Sequence, residues 1–144
     1  MPAFLPDTSC IIAATCGWHE HHERAAAELE RRLARRETMA IAAPALVEAY
    51  AVLTRLPAPH RLRSEVALAL LEANFIAAGK LVALDARTYR ALLREAPRAE
   101  IRGGRTYDAV IAACALRAKV GALLTFNEQH FLAFADRGMR IVVP

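Results

Sequence analysis

The chain has 144 residues, 56% of them hydrophobic and 24% charged, and a formal net charge of +4. That is enough for one domain, residues 1–144, with a proper core, and the composition excludes disorder. No apolar run approaches the roughly 18 residues of a membrane span, and the start MPAFLPDTSC lacks the basic and apolar regions of a signal peptide, so a cytosolic location with no membrane partner is expected.

In chain order, strand and helix patterns alternate. Residues 3–6 (AFLP) suit a short buried strand, and an apolar helix is expected from about Ser9 to Cys16. In HEHHERAAAELERRLARRE, Ala25, Leu29 and Leu33 recur every four residues among charges, which predicts an amphipathic surface helix with these three inward. MAIAA (39–43) reads as a second strand, and Pro44 opens a helix through about Arg55. After the break PAPH (57–60), a helix from about Leu62 to Phe75 leads through Gly79 to the strand LVAL (81–84). Asp85 caps the helix ARTYRALLREA. A Pro/Gly/Arg loop (97–105) precedes a helix capped by Thr106 and ended by Gly121. ALLT (122–125) is a strand, 128–134 a short helix and MRIVV (139–143) a last strand. This alternation predicts an α/β fold whose mainly parallel sheet is covered on both faces.

Three carboxylates stand alone in apolar stretches. Asp7 is the sole charge from Met1 to Trp18, Glu48 from Thr38 to Thr54, and Asp108 from Thr106 to Leu116. Burying an ionised carboxylate costs several kcal/mol unless a partner offsets it. Singly, Asp7 and Asn127 fit helix caps and Asp108 fits the helix dipole. Glu48 is harder to explain so, because its segment is otherwise an inward-facing pattern without a basic partner. In a parallel sheet, Asp7 and Asn127 fall just after strands, Glu48 and Asp108 in the first turns of helices, so all four converge on the rim where ligands bind. Two carboxylates about 4 Å apart repel by roughly 4 kcal/mol at an effective dielectric of 20. A hard divalent cation, Mg²⁺ or Mn²⁺, relieves that strain, with Asp7, Asp108 and Glu48 as ligands or water-holders.

All but Lys80 and Lys119 of the 19 basic residues are arginine, which suits a phosphate-rich partner or simply a solvated face. Arg98, Arg102 and Arg105, on the loop before Asp108, are candidate phosphate contacts. The odd number of cysteines, Cys10, Cys16 and Cys114, all among apolar residues, points to buried reduced thiols. HEHH (19–22) does not complete HExxH, because Glu23 stands at the second histidine position; a solvated helix start is the simpler expectation. Tyr50 and Tyr107 are expected at core edges.

PDTS with its aspartate, PALVEAY with its glutamate, GRTYDAVIAACA with its aspartate and LLTFNEQHF with its asparagine together resemble the PIN-domain ribonucleases, in particular VapC-type toxins of bacterial toxin–antitoxin pairs. The resemblance spans nearly the whole chain. It implies a three-layer α/β/α sandwich, Mg²⁺- or Mn²⁺-dependent RNA cleavage, a homodimer, and a cognate antitoxin that blocks the site. It places the catalytic acids at Asp7, Glu48 and Asp108, with Asn127 as fourth position and Thr8 beside the first. Such toxins often carry an acid just before the phenylalanine that follows LLTFN; here that place holds His130, with Glu128 nearby, and one or two ions stay open. Two rival classes are a non-catalytic RNA- or partner-binding module of the same fold, and a receiver- or phosphatase-like domain using Asp7 with Asp85.

Overall fold

The computed structural model describes residues 2–144. Five strands, β1 (Ala3–Pro6), β2 (Thr38–Ala42), β3 (Lys80–Val82), β4 (Ala122–Leu124) and β5 (Arg140–Val142), form one sheet in the order β3-β2-β1-β4-β5. Every pairing is parallel. The helices α1 (Thr8–Thr15), α2 (His22–Ala34), α3 (Ala43–Arg55), α4 (Ser64–Leu71), α5 (Ala86–Glu95) and α6 (Arg105–Arg117) flank it, completing the expected α/β/α sandwich. No helix among the described residues is long and apolar enough to cross a membrane.

The central strands are apolar on both faces because helices cover both. Phe4, Leu5, Leu123 and Leu124 are fully buried. On α6 the inward residues Ala109, Ala112 and Ala115 are small, so this helix lies close to the sheet beside Ile111 and Cys114. Cys10, Cys16 and Cys114 are all buried free thiols, as their setting predicts. Burial pushes the Cys114 thiol up to about 11, which keeps it protonated and unreactive.

Chain winding sets the site. From β1 the chain moves outward through β2 to β3, then crosses back to β4 on the other side of β1 and out to β5. The carboxyl ends of β1 and β4 therefore border the crevice where the winding reverses. Pro6 is in register with Leu124, and the Asp7 amide donates to the Leu124 carbonyl at 2.9 Å. Whatever follows these strands is held side by side.

Local details differ from the sequence pattern in four places. The helix from Ser64 widens into a π-turn over Glu72–Ile76 before Gly79. Thr106 lies inside α6 instead of capping it, because the helix already starts at Arg105 with Gly104 at the cap. That helix ends before Gly121: Lys119 takes the left-handed conformation (φ 55°) that glycine was expected to supply. On α2, Ala25 and Leu29 face inward, but the third buried position is Arg32, while Leu33 is exposed.

Arg32 is buried because acids from two segments partner it. Its Nε donates to Glu28 and its Nη1 to Glu37, both at 2.9 Å, and its guanidinium covers the Phe4 ring at 5.6 Å. Four-residue spacing cannot distinguish a leucine from an arginine whose stem and charge are both accommodated. Removing one member of such a set leaves nearly buried charges unpaired. Arg32→Ala is expected to lower unfolding stability by about 3 kcal/mol in urea titrations; a loss below about 0.5 kcal/mol, as at an ordinary surface position, would show that the arginine is dispensable.

Candidate active site

Asp7 occupies the cap position of α1 directly after β1 and is 1% exposed. Its Oδ1 accepts from Ser9 Oγ at 2.6 Å and from the Cys10 amide at 3.0 Å; its Oδ2 accepts from Thr125 Oγ1 at 2.5 Å. The capping role expected of a lone aspartate is thus real, yet the Thr125 contact joins β1 to the end of β4 across the crevice. Burial pushes the Asp7 carboxyl up to about 6, against the lowering effect of the three donors, and the Asp108 charge raises it further. Asp108 is thus within electrostatic reach of Asp7, as the smallest of the influences on its carboxyl. Burial and the neighbouring Asp7 charge also push the Cys10 thiol far up.

Asp108 sits in the first turn of α6. Its Oδ2 is 2.6 Å from His130 Nδ1. His130, the residue standing where an acid was expected, therefore supplies a partner to Asp108 instead of another carboxylate. Asp108, His130, Arg102 and Arg105 together line an open cavity of about 540 Å³. Arg98 is not in its lining; it lies 3.7 Å from Glu95 on the surface.

Glu48 is half-buried on α3 and lines a second, more apolar depression of about 580 Å³ with Val47, Tyr89 and Tyr107. Tyr107 adjoins Asp108, so this groove reaches the start of α6. Tyr107 and Tyr50 are exposed, not core edges. Among the described residues, no three His, Cys, Asp or Glu side chains stand together as a ready-made metal cage. Asn127 precedes the 3₁₀ turn Glu128–His130 without a side-chain cap bond. Its amide donates to Thr125 Oγ1 at 2.8 Å, which ties it to the Asp7 network. Thr8, beside Asp7, has a buried hydroxyl with no hydrogen-bond partner among the described residues. Asp85, the partner in the receiver-like alternative, is the cap of α5, bonded to Thr88 and exposed.

Ser9 and Thr125 are the hydrogen-bond partners of Asp7 that the sequence pattern missed. Ser9 lies in PDTS and Thr125 in LLTFN, but a hydroxyl within an apolar run carries no sign that it will meet a carboxylate 118 residues away.

These features define a class. Residues 4–136 match the PIN domain family, to which the chain belongs. Within the family it resembles curated ribonucleases of Mycobacterium tuberculosis: it is 42% identical to Ribonuclease VapC40 over 106 residues, covering 74% of this chain and 73% of that protein. It is 37% identical to Ribonuclease VapC27 over 142 residues, 99% of this chain and 97% of the relative. The fold matches crystal structures of the sarcin–ricin-loop-cleaving toxin VapC20 of M. tuberculosis (TM-score 0.72, 18% identity, 98% of this chain and 99% of that one) and of DNA-bound VapBC from Salmonella typhimurium (TM-score 0.68, 25% identity, 99% and 98%).

The raised Asp7 carboxyl has a stability consequence. The folded protein holds this proton more tightly than the unfolded chain, so between about pH 4 and 6 unfolding releases it. The favourable contribution is complete below the unfolded value of 3.8 and is lost as pH rises through about 6. In EDTA, the wild type is expected to lose up to roughly 3 kcal/mol across that window, and Asp7→Asn, which keeps the capping geometry, to lose none. A pH slope that persists unchanged in the variant would assign it to another group.

Proposed function

We propose that this protein is a Mg²⁺- or Mn²⁺-dependent endoribonuclease, the toxin of a toxin–antitoxin pair, cleaving RNA at the Asp7–Asp108 rim. The observation that carries this is a buried carboxylate at the sheet's reversal point, met only by hydroxyl and amide donors and facing a second acid beside an arginine-lined cavity. The names of the curated relatives support the ribonuclease activity.

The chemistry of the donors suits a hard cation. Asp7 and Asp108 offer carboxylate oxygens, with Glu48 on the adjoining groove, and the buried Thr8 hydroxyl lacks a hydrogen-bond partner among the described residues. Such an ion, when present, supplies positive charge at the phosphodiester and acidifies a water molecule. The protein's own groups do the rest. The Ser9 and Thr125 hydroxyls fix the orientation of Asp7. His130 holds one oxygen of Asp108. Arg102 and Arg105 bind phosphate oxygens and place the backbone, with Arg98 as a more distant contact. Glu48, on the adjoining groove, would hold the attacking water or act as its base, and Asn127 would orient Asp7 or that water. Attack by water with departure of the 3′-oxygen, which takes up a proton, leaves a 5′-phosphate and a 3′-hydroxyl; no 2′,3′-cyclic phosphate forms, because the 2′-hydroxyl does not attack.

A cognate antitoxin is the partner we assign to the exposed apolar side of α3, where Val47 is 71% exposed beside the groove that contains Glu48. The VapBC structure from Salmonella supports such a pairing. We further propose a homodimer and a cytosolic setting. A non-catalytic reading has one observation in its favour, the His130 contact to Asp108; it predicts RNA binding without cleavage.

The purified protein is to be incubated with total RNA in Mg²⁺, Mn²⁺ or EDTA. Metal-dependent products bearing 5′-phosphates are expected from the wild type, and none from Asp7→Asn or Asp108→Asn. Intact RNA under every metal condition would leave the non-catalytic alternative. Unfolding with metal supplies an independent readout: the wild type is expected to gain about 2.7 kcal/mol when Mn²⁺ reaches a hundred times its dissociation constant, and Asp7→Asn much less.

For the arginines, the triple alanine variant of Arg98, Arg102 and Arg105 is expected to weaken RNA binding alike for all sequences and to lower the logarithmic salt slope by about 1 or more. An unchanged slope would place the RNA elsewhere.

A further inference from the structure

The segment between α1 and α2 carries a group of rings that the cleavage site does not use. Trp18 stacks on His60 with centroids 4.1 Å apart and planes 25° from parallel. His19 follows at 5.9 Å from Trp18 and His21 at 5.6 Å from His19, these two pairs tilted by 39° and 46°. His21 stacks in turn on Phe126, at 4.4 Å and 14°. Arg24 closes this end, its guanidinium 5.4 Å from the Phe126 centroid and its Nη2 3.0 Å from His21 Nδ1.

The row has a direction. Phe126 lies between Thr125 and Asn127, and its amide donates to Ser9 Oγ at 3.0 Å, the hydroxyl that itself donates to Asp7. One end of the row is therefore a single side chain away from the buried carboxylate, and the other lies out at His60. A purely structural stack would be buried, whereas Trp18 is 49% exposed, and the space around neighbouring Gly17 is open. Unpaired bases are the ligands that such rings accept, because every base has a π-face and aromatic or imidazole rings stack on it without regard to sequence. The one acid beside the row, Glu20, lies 3.5 Å from His21 Nε2 with its own side chain 81% exposed, so it can turn away into solvent.

We propose that His60, Trp18, His19, His21 and Phe126, with Arg24, form a stacking track for the bases of single-stranded RNA that leads to the Asp7–Asp108 rim. The track rests on the ribonuclease reading above and extends it from the scissile phosphate to the flanking nucleotides. It makes the substrate single-stranded where it leaves the site on this side.

Trp18 is the only tryptophan in the chain, so its fluorescence reports on this surface without a label. The wild type in Mg²⁺ is to be titrated with a short oligoadenylate and, separately, with an abasic ribose-phosphate oligomer of the same length, while cleavage of total RNA by the same preparation is followed. Base-dependent quenching is expected from the first and none from the second. Trp18→Ala is expected to raise KM for RNA about tenfold with kcat little changed, and Trp18→Phe to restore most of it. His60→Ala, which leaves the indole in place, serves as the second variant and is expected to weaken oligoadenylate binding in the same direction. Active enzyme with no base-dependent quenching and an unchanged KM in both alanine variants overturns the track and leaves the ribonuclease reading standing. Quenching without cleavage in any metal does the reverse. Absence of both overturns both.

Discussion

A carboxylate placed where the winding of a parallel sheet reverses is the constraint from which the remainder follows. Asp7 emerges from β1 into a crevice bordered by β4, and burial makes its charge costly. Two hydroxyls and a backbone amide reduce that cost without removing it. The protein thereby keeps a strained negative charge at the one place in the fold where loops from both halves of the sheet meet. Asp108 arrives from the helix that crosses back to β4, and Arg102 and Arg105 arrive at its beginning. A fold that buried a leucine at position 7 would be easier to stabilise, but it would lose the buried carboxylate at this crevice.

Much of this was legible because it depends on local periodicity and on isolation. The apolar runs of β1, β2 and β4 have no other place than a covered parallel sheet, and a single charge in such a run must be either a cap or a site. Asp7 is both. The acids at 7 and 108 could be read from their surroundings, whereas the relation of Glu48 to them could not: it depends on how α3 is set against α6, and here Glu48 opens onto its own groove. Ser9, Thr125 and His130 were hidden for the same physical reason. Whatever the separation, from two residues for Ser9 and Asp7 to 118 for Thr125 and Asp7, a hydroxyl or an imidazole is ordinary in almost any environment. Arg32 escaped notice because burial of a guanidinium needs acids from two different segments, Glu28 and Glu37. The histidines after Cys16 looked like a solvated helix start, and only the packing of the 57–61 loop and Phe126 against them arranges their rings in a row.

The two depressions near the rim differ in character, and this separates two kinds of recognition. The one formed by Asp108, His130 and the arginines is open and charged. The one beside α3 is lined mainly by Ala43, Pro44, Val47, Ala51, Ala83 and two tyrosines. The charged and the apolar depression thus lie on neighbouring faces, and Tyr107, which lines the apolar one, is next in sequence to Asp108, which lines the charged one. A ligand on either face bears on the same helix turn.

The Thr125 hydroxyl has a single proton, and it is committed to Asp7 Oδ2, while its oxygen accepts the amide of Asn127. These bonds run in one direction, from the loop backbone to the carboxylate, and each polarises the next. A change of charge on Asp7 is therefore transmitted to a main-chain N–H at the surface. The Asn127 amide resonance is a built-in electrometer, through which proton loss or cation capture at the buried acid becomes visible without touching the site.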